Sequence, residues 1–248
     1  MTAPDQLWSA LRRLTAARIG LRRAGASLAT APLLEFKLAH AQARDAVLEP
    51  LAVGRLAAGL AELGTVLTVA SAAEDQRTYL MRPDLGRRLA VDDAATLAAH
   101  RGDFDVVFVV ADGLSARAVA QQAFAVLAAA LPPLRSDGWR IAPLVVVRHG
   151  RVAIGDAVAA ALGATCVVVL IGERPGLSSP DSMGAYLTWH PHARSTDAER
   201  NCISNIRPQG TDHDTAAFRL TYLLRAMRAR GVSGVALKDD SERLLLGR

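Results

Sequence analysis

Three short stretches carry residues able to do chemistry: Asp112-Gly-Leu-Ser115, Arg148-His-Gly-Arg-Val152 and Gly172-Glu-Arg-Pro-Gly176. Each sets a charged or hydrogen-bonding side chain beside glycine, which reaches backbone angles closed to other residues. The carboxylate of Glu173 can accept from amide N–H groups, although a Glu-Arg pair between glycines is by itself commonly a turn salt bridge. Val152 offers an apolar contact or its backbone. Further on, Cys202 precedes Ile-Ser-Asn205. With no base paired to it, Cys202 reads as a small packing or ligand-contact residue and not as a nucleophile. His149, His190 and His192 do not form a convergent zinc set, and Pro191 places the last two in a loop. Asp112-Gly113 reads as a turn that caps a helix, with an approach to a ligand as the alternative.

Each of the three stretches follows an apolar run of strand length: Val106–Ala111, Leu144–Val147 and Cys166–Ile171. Such runs, separated by helical segments, predict parallel strands buried on both faces and joined by right-handed crossovers. The intervening helices are expected from Ser115 as cap to about Ala130, over Asp156–Leu162, and over Asp214–Arg230, where Gly231 and Gly234 end the last one. Upstream, the pattern predicts helices over Leu7–Ala17, from a Thr30 N-cap through Leu48, and over Val53–Leu63 up to Gly64. A strand follows at Thr65–Ala70. The fold class is α/β, a Rossmann-like, mostly parallel sheet with an N-terminal helical lobe. Residues 1–64 form the lobe, and residues 65–248 the sheet domain. In open sheets of this kind ligands sit at the carboxyl ends of the strands, and all three stretches fall there.

Composition narrows the function classes. The chain has 248 residues, 51% of them apolar and only 4% aromatic, so its core is aliphatic. Net charge is +5, and Lys37 and Lys238 are the only lysines. Positive charge held on Arg suits planar pairing inside interfaces better than diffuse binding to a phosphate backbone. The upstream arginines Arg12, Arg13, Arg18, Arg22 and Arg23 lack both nearby acids and an aromatic stacking platform, which favours protein docking over single-strand binding. Two cysteines build neither a disulfide framework nor a zinc cluster. The start of the sequence shows no signal-peptide pattern, and no apolar run approaches the ~20 residues of a membrane helix. The expectation is a cytoplasmic protein with no membrane and no nucleic-acid partner. Neither G-x-G-x-x-G nor G-x-x-x-x-G-K-[ST] occurs, which counts against a nucleotide enzyme.

The same stretches resemble the signatures of one family. Val169-Leu-Ile-Gly-Glu-Arg-Pro-Gly-Leu-Ser-Ser-Pro-Asp-Ser182 and Cys202-Ile-Ser-Asn-Ile-Arg207 are similar to two blocks of the ethanolamine ammonia-lyase small subunits. Arg18-Ile-Gly20 with Arg23-Ala-Gly25, Tyr79-Leu-Met-Arg-Pro-Asp-Leu-Gly-Arg-Arg88, Asp112-Gly-Leu-Ser115 and His149-Gly-Arg-Val152 follow the family's order, from about Leu11 to Leu237. The resemblance implies adenosylcobalamin as cofactor, held between this chain and a large TIM-barrel subunit in a hetero-oligomer of six small and six large subunits. It implies deamination of ethanolamine to acetaldehyde and ammonia by a radical route, with the substrate site on the large subunit and no catalytic residue here. Carried over by motif, the cofactor contacts fall on Val152, Glu173 and Cys202. The family's longer N-terminal extension, associated with a microcompartment, has no counterpart before Leu11, so free cytoplasmic enzyme is expected. The corrinoid motif D-x-H-x-x-G is missing, since Asp212-His-Asp214 has other spacing, which agrees with a cofactor that keeps its own base. A stand-alone α/β enzyme for a nucleotide-like ligand and a basic nucleic-acid-binding module are the alternatives.

Overall fold

The computed structural model describes residues 3–242, with side chains from Gln6 onward. The chain opens with helix α1 (Ala3–Leu11), a small hairpin of β1 (Arg23–Ala24) and β2 (Ser27–Leu28), and helices α2 (Thr30–Leu48) and α3 (Val53–Leu60). Strand β3 (Val66–Ala70), helices α4 (Gln76–Met81) and α5 (Val91–Ala98), and strand β4 (Phe104–Ala111) follow. Then come α6 (Ala116–Ser136), β5 (Leu144–Arg148), α7 (Ile154–Leu162), β6 (Ala164–Gly172), β7 (Met183–Trp189), β8 (Arg200–Ile206) and α8 (His213–Arg230).

The main sheet has six strands in the order β3-β5-β4-β6-β7-β8. Its first four run parallel, as the continuous apolar runs of β4, β5 and β6 predict, and β7 and β8 add antiparallel. Two cores lie on its two faces. One joins α3, α6 and α8 to the sheet through Leu56, Phe108, Leu127, Leu170 and Leu220. The other joins α5 and α7 through Leu97, Val109, Val147, Ile154 and Val158. The arrangement is α/β with a Rossmann-like, mostly parallel sheet, as the alternating pattern predicts. Because Leu56 and Leu60 of α3 enter the first core, the part of the N-terminal segment without a core of its own extends only as far as Leu48.

Several boundaries move. The helix expected over Leu7–Ala17 ends at Leu11. Thr30 does not cap α2; the cap position is Ala29, extended and without a side-chain bond, and Thr30 is the first helical residue. The helix expected to reach Leu63 stops at Leu60. Ser115 does cap α6, its hydroxyl oxygen accepting from the Ala118 N–H at 3.2 Å. The α6 helix then runs beyond Ala130, through Pro132 and Pro133, to Ser136. Gly231 ends α8 in the left-handed conformation, φ 69°.

Candidate functional site

The carboxyl ends of β4, β5 and β6 converge, as the strand pattern predicts, but the crevice between the first two is filled by the chain itself. Asp112 is buried there. Its Oδ2 accepts from the His149 N–H at 2.7 Å, and its Oδ1 accepts from the N–H groups of Gly150 at 2.9 Å and Gly113 at 3.0 Å. This corrects the expected role of Asp112. Its side chain caps no helix, that part being taken by Ser115; it ties the end of β4 to the turn after β5. The tie is needed because His149 takes φ 58°, a left-handed angle that costs a residue with a Cβ about 1–2 kcal/mol. Burial pushes the Asp112 carboxyl above its ordinary value, against the pull of the three N–H donors.

A second layer clamps the same turn. The Tyr79 ring is fully buried and stacks on His149, and its hydroxyl donates to the Gly150 carbonyl at 3.1 Å. The Arg151 guanidinium lies over the other part of that ring, 4.2 Å from its centre, and donates to the Tyr79 carbonyl. The Arg151 N–H donates to the Gly86 carbonyl at 2.8 Å, and a Cβ at Gly86 would stand 2.8 Å from Arg151 Cγ. The His149 ring Nδ1 sits 3.1 Å from the Ala73 carbonyl, which can only accept, so the proton belongs on Nδ1. The block Tyr79–Arg88 thus shapes the loop carrying Val152, a structural role that sequence spacing does not reveal.

Val152, half-buried, closes this loop and packs at the margin of the second core. Glu173 opens the next loop, where its N–H donates to the Ser182 carbonyl at 2.9 Å. Its carboxylate does not pair with Arg174. Oε2 accepts from the Ser182 hydroxyl at 2.6 Å and the Asn205 N–H at 3.2 Å. Oε1 accepts none of the described bonds and lies beside Gly184, where a Cβ would stand 3.0 Å from it and 3.2 Å from the Tyr186 ring. Gly184 is buried, and its missing side chain lets the Glu173 carboxylate and the Tyr186 ring close over it.

Cys202 stands across from Tyr186 in the ladder, exposed, its Sγ 3.2 Å from Ser204 Oγ. Desolvation raises the thiol above its ordinary value, and the Glu173 carboxylate adds to that. The thiol stays protonated near neutrality and is no nucleophile. Burial likewise raises the Tyr186 phenol, with Cys202 and Glu173 acting the same way. His190 follows the far end of β7 and His192 pairs with Glu199 at 3.4 Å, so neither acts as a base for Cys202. Among the described residues no group of His, Cys, Asp and Glu could hold a metal ion.

These residues share one surface. Met183, Ala185, Leu187 and Ile203 point into the first core, so Gly184, Tyr186 and Cys202 point the opposite way. On that side α7 packs on β4 and β6 and reaches β8 through a buried ion pair, Arg200 to Asp156, at 2.7 and 2.8 Å. The result is an open shelf of strand with Glu173 at the top and Tyr186 and Cys202 on the floor, while Val152 lies in the turn after β5 at the margin of the second core. Sequence reasoning named Val152, Glu173 and Cys202 and did not name the neighbours that surround the last two, Gly184, Tyr186, Ser182 and Asn205. A groove of about 240 Å³ between α3 and α6, lined by Leu51, Leu56 and Phe124, lies on the other face and does not meet the shelf.

Comparison with known proteins gives a consistent picture. The model of the ethanolamine ammonia-lyase light chain (EutC) family matches residues 5–238. Proteins named ethanolamine ammonia-lyase small subunit are similar along nearly the whole chain. The one from Azotobacter vinelandii is 52% identical over 245 residues, covering 97% of this chain and 91% of the relative. That of Ralstonia nicotianae is 52% identical over 250 residues, 99% of this chain and 93% of the relative. That of Xanthomonas campestris pv. campestris is 53% identical over 252 residues, 99% and 92%.

Proposed function

The chain belongs to the ethanolamine ammonia-lyase light-chain family, and from that premise we propose that it is the cofactor-embracing small subunit of an adenosylcobalamin-dependent ethanolamine ammonia-lyase. The observation that carries the cofactor reading is the shelf on β7 and β8. A corrin has flat apolar faces and a rim of amide arms. Glu173 Oε1, with its neighbour oxygen already committed to Ser182 and Asn205, is an acceptor held ready for an amide N–H. Val152 and the Tyr186 ring supply apolar surface, and Cys202 presents a small protonated thiol and its backbone.

When bound, adenosylcobalamin supplies radical chemistry that no protein side chain provides. The part of this chain is to hold and orient the corrin edge and to keep water from that side. The substrate site belongs to a large subunit, against which residues 1–64, with the arginines from Arg12 to Arg23, dock. The filled crevice between β4 and β5 speaks against a nucleotide-like ligand. Three N–H donors of the kind that would cradle a phosphate already face Asp112, and a buried carboxylate repels an anion.

The test is ethanolamine deamination with adenosylcobalamin, run with this chain alone, with a large subunit alone, and with both. Activity confined to the mixture is expected. Activity of this chain alone, or an assembled but inert mixture, would overturn the reading.

A further inference from the structure

Nine of the thirteen large hydrophobic side chains exposed among the described residues lie between Leu7 and Leu48. Within α2, Leu33, Leu34, Phe36 and Leu38 are 36%, 58%, 38% and 60% exposed, while Ala39 and Ala46 are the buried positions. At about 100° per residue, those four side chains span roughly 200° of the helix circumference, on the side away from the two alanines, with the exposed Lys37 in the middle of the arc. A helix packed on a domain normally turns an apolar stripe of about 100° inward. Here a band about twice as wide, apolar but for Lys37, faces outward, too wide to be covered by one flat contact. It asks for a groove.

Charge indicates what the groove belongs to. From Gln6 to Leu34 the sequence holds Arg12, Arg13, Arg18, Arg22 and Arg23 and no acidic residue. Two copies of this segment would set arginine against arginine, so a second copy is disfavoured, and a partner with carboxylates around an apolar groove is favoured. The segment is also shaped in advance. Gly20, at φ 56°, lets the Trp8 ring pack where a Cβ would collide at 2.2 Å, and the Arg12 guanidinium donates to the Ile19 and Gly20 carbonyls. It touches the loop that Glu173 opens: Arg18 donates to the Leu177 carbonyl at 3.4 Å, and the Ser178 hydroxyl donates to the Ala16 carbonyl at 3.5 Å.

We propose that residues 30–38, the first turns of α2, form an apolar plug seated in a groove of the large subunit, with carboxylates around that groove taking the arginines of the preceding segment. This rests on the subunit reading above. The test compares the wild-type chain, Leu34→Asp/Leu38→Asp, and the control Val235→Asp, whose side chain is 89% exposed elsewhere. Each is titrated against the large subunit, and assembly is read by sedimentation. Thermal unfolding of the isolated chains checks the fold. Unfolding temperatures should match, the double variant should bind about a hundredfold more weakly, and the control should bind as wild type. Should the double variant unfold early, Arg13→Glu/Arg23→Glu decides: weakened assembly supports the plug, and unchanged assembly overturns it. Wild-type assembly of Leu34→Asp/Leu38→Asp overturns it too, as does a self-association of the isolated chain that this variant alone abolishes, since a second copy would then be the occupant. Failure of the wild-type chain to assemble would instead bring down the subunit reading, and the plug with it.

Discussion

The carboxylate of Asp112 accepts from three backbone N–H groups, two on Oδ1 and one on Oδ2. An amide has only one acceptor oxygen, so Asp112→Asn must turn its NH2 toward at least one of those donors. The expected cost is about 2–3 kcal/mol, the penalty of a buried donor left without an acceptor. For a chain of this size that is a fall of about 5–10 °C in Tm, read by thermal unfolding; a fall below about 2 °C would deny Asp112 its part in holding the turn. Glu173 acts outward instead. Glu173→Ala removes the acceptor at Oε1, and apparent adenosylcobalamin affinity should drop about tenfold to a hundredfold. Assembly with the large subunit should persist, because Glu173 lies on the shelf and not on the arm. Cofactor titration of the assembled complex measures this, and an unchanged affinity would remove Glu173 from the site. The three residues named by motif were legible because a carboxylate, a valine and a cysteine sit in recognisable blocks. Gly184 and Tyr186 were not: neither has a motif, and their meaning depends on which face of β7 they occupy.

That face is set by how the elements pair, and here sequence patterns gave less. Strands β4, β5 and β6 were readable because burial on both sides demands uninterrupted Val, Ile and Leu, and the edge strand β3 from its β-branched content. Strands β7 and β8 were not, and β8 shows why. Ile203 lies opposite Ala185 and Ile206 opposite Met183, three residues against two, so the ladder carries an irregularity and strict alternation is lost. Helix α6 outran its expected end for a different reason. Pro132 and Pro133 signal a stop, but Leu131 and Leu134 are buried in the first core, and that burial outweighs the lost backbone bonds. The link that fixes α7 to β8 is a pair whose partners are 44 residues apart, Arg200 and Asp156, with side chains only 2% and 7% exposed. Asp156→Ala should cost about 3–5 kcal/mol by stranding a buried guanidinium, whereas Asp156→Leu/Arg200→Met should recover most of that. Unfolding midpoints of the single and double variants test the claim; additive losses would show that the two side chains do not act as a pair.

Across the whole molecule, acid should weaken the fold through its caps and turns. The Thr78, Thr215 and Thr196 backbone N–H groups hold Asp75, Asp212 and Glu199 below their ordinary values, and the Arg82 guanidinium holds Asp84 at about 2, down from 3.8. A carboxyl depressed in the folded state adds stability above its unfolded value and gives it up as pH falls toward the folded one. Stability should therefore decline between about pH 4 and pH 2. Asp112 opposes this, because its raised value makes protonation easier in the folded state. Unfolding temperatures measured stepwise across that range should fall, and a flat profile would show that these caps hold no more firmly than the unfolded chain does.

The Arg-rich arm, finally, bears on how the chain is made. Residues 6–48 leave the ribosome before any strand of the main sheet, and even in the finished fold their leucines and Phe36 stay in water. None of the described residues covers them. Until another protein does, every new copy displays surface of the kind that chaperones hold and proteases cut. How much of the chain accumulates in a cell is then governed by the supply of its partner as well as by its own rate of synthesis.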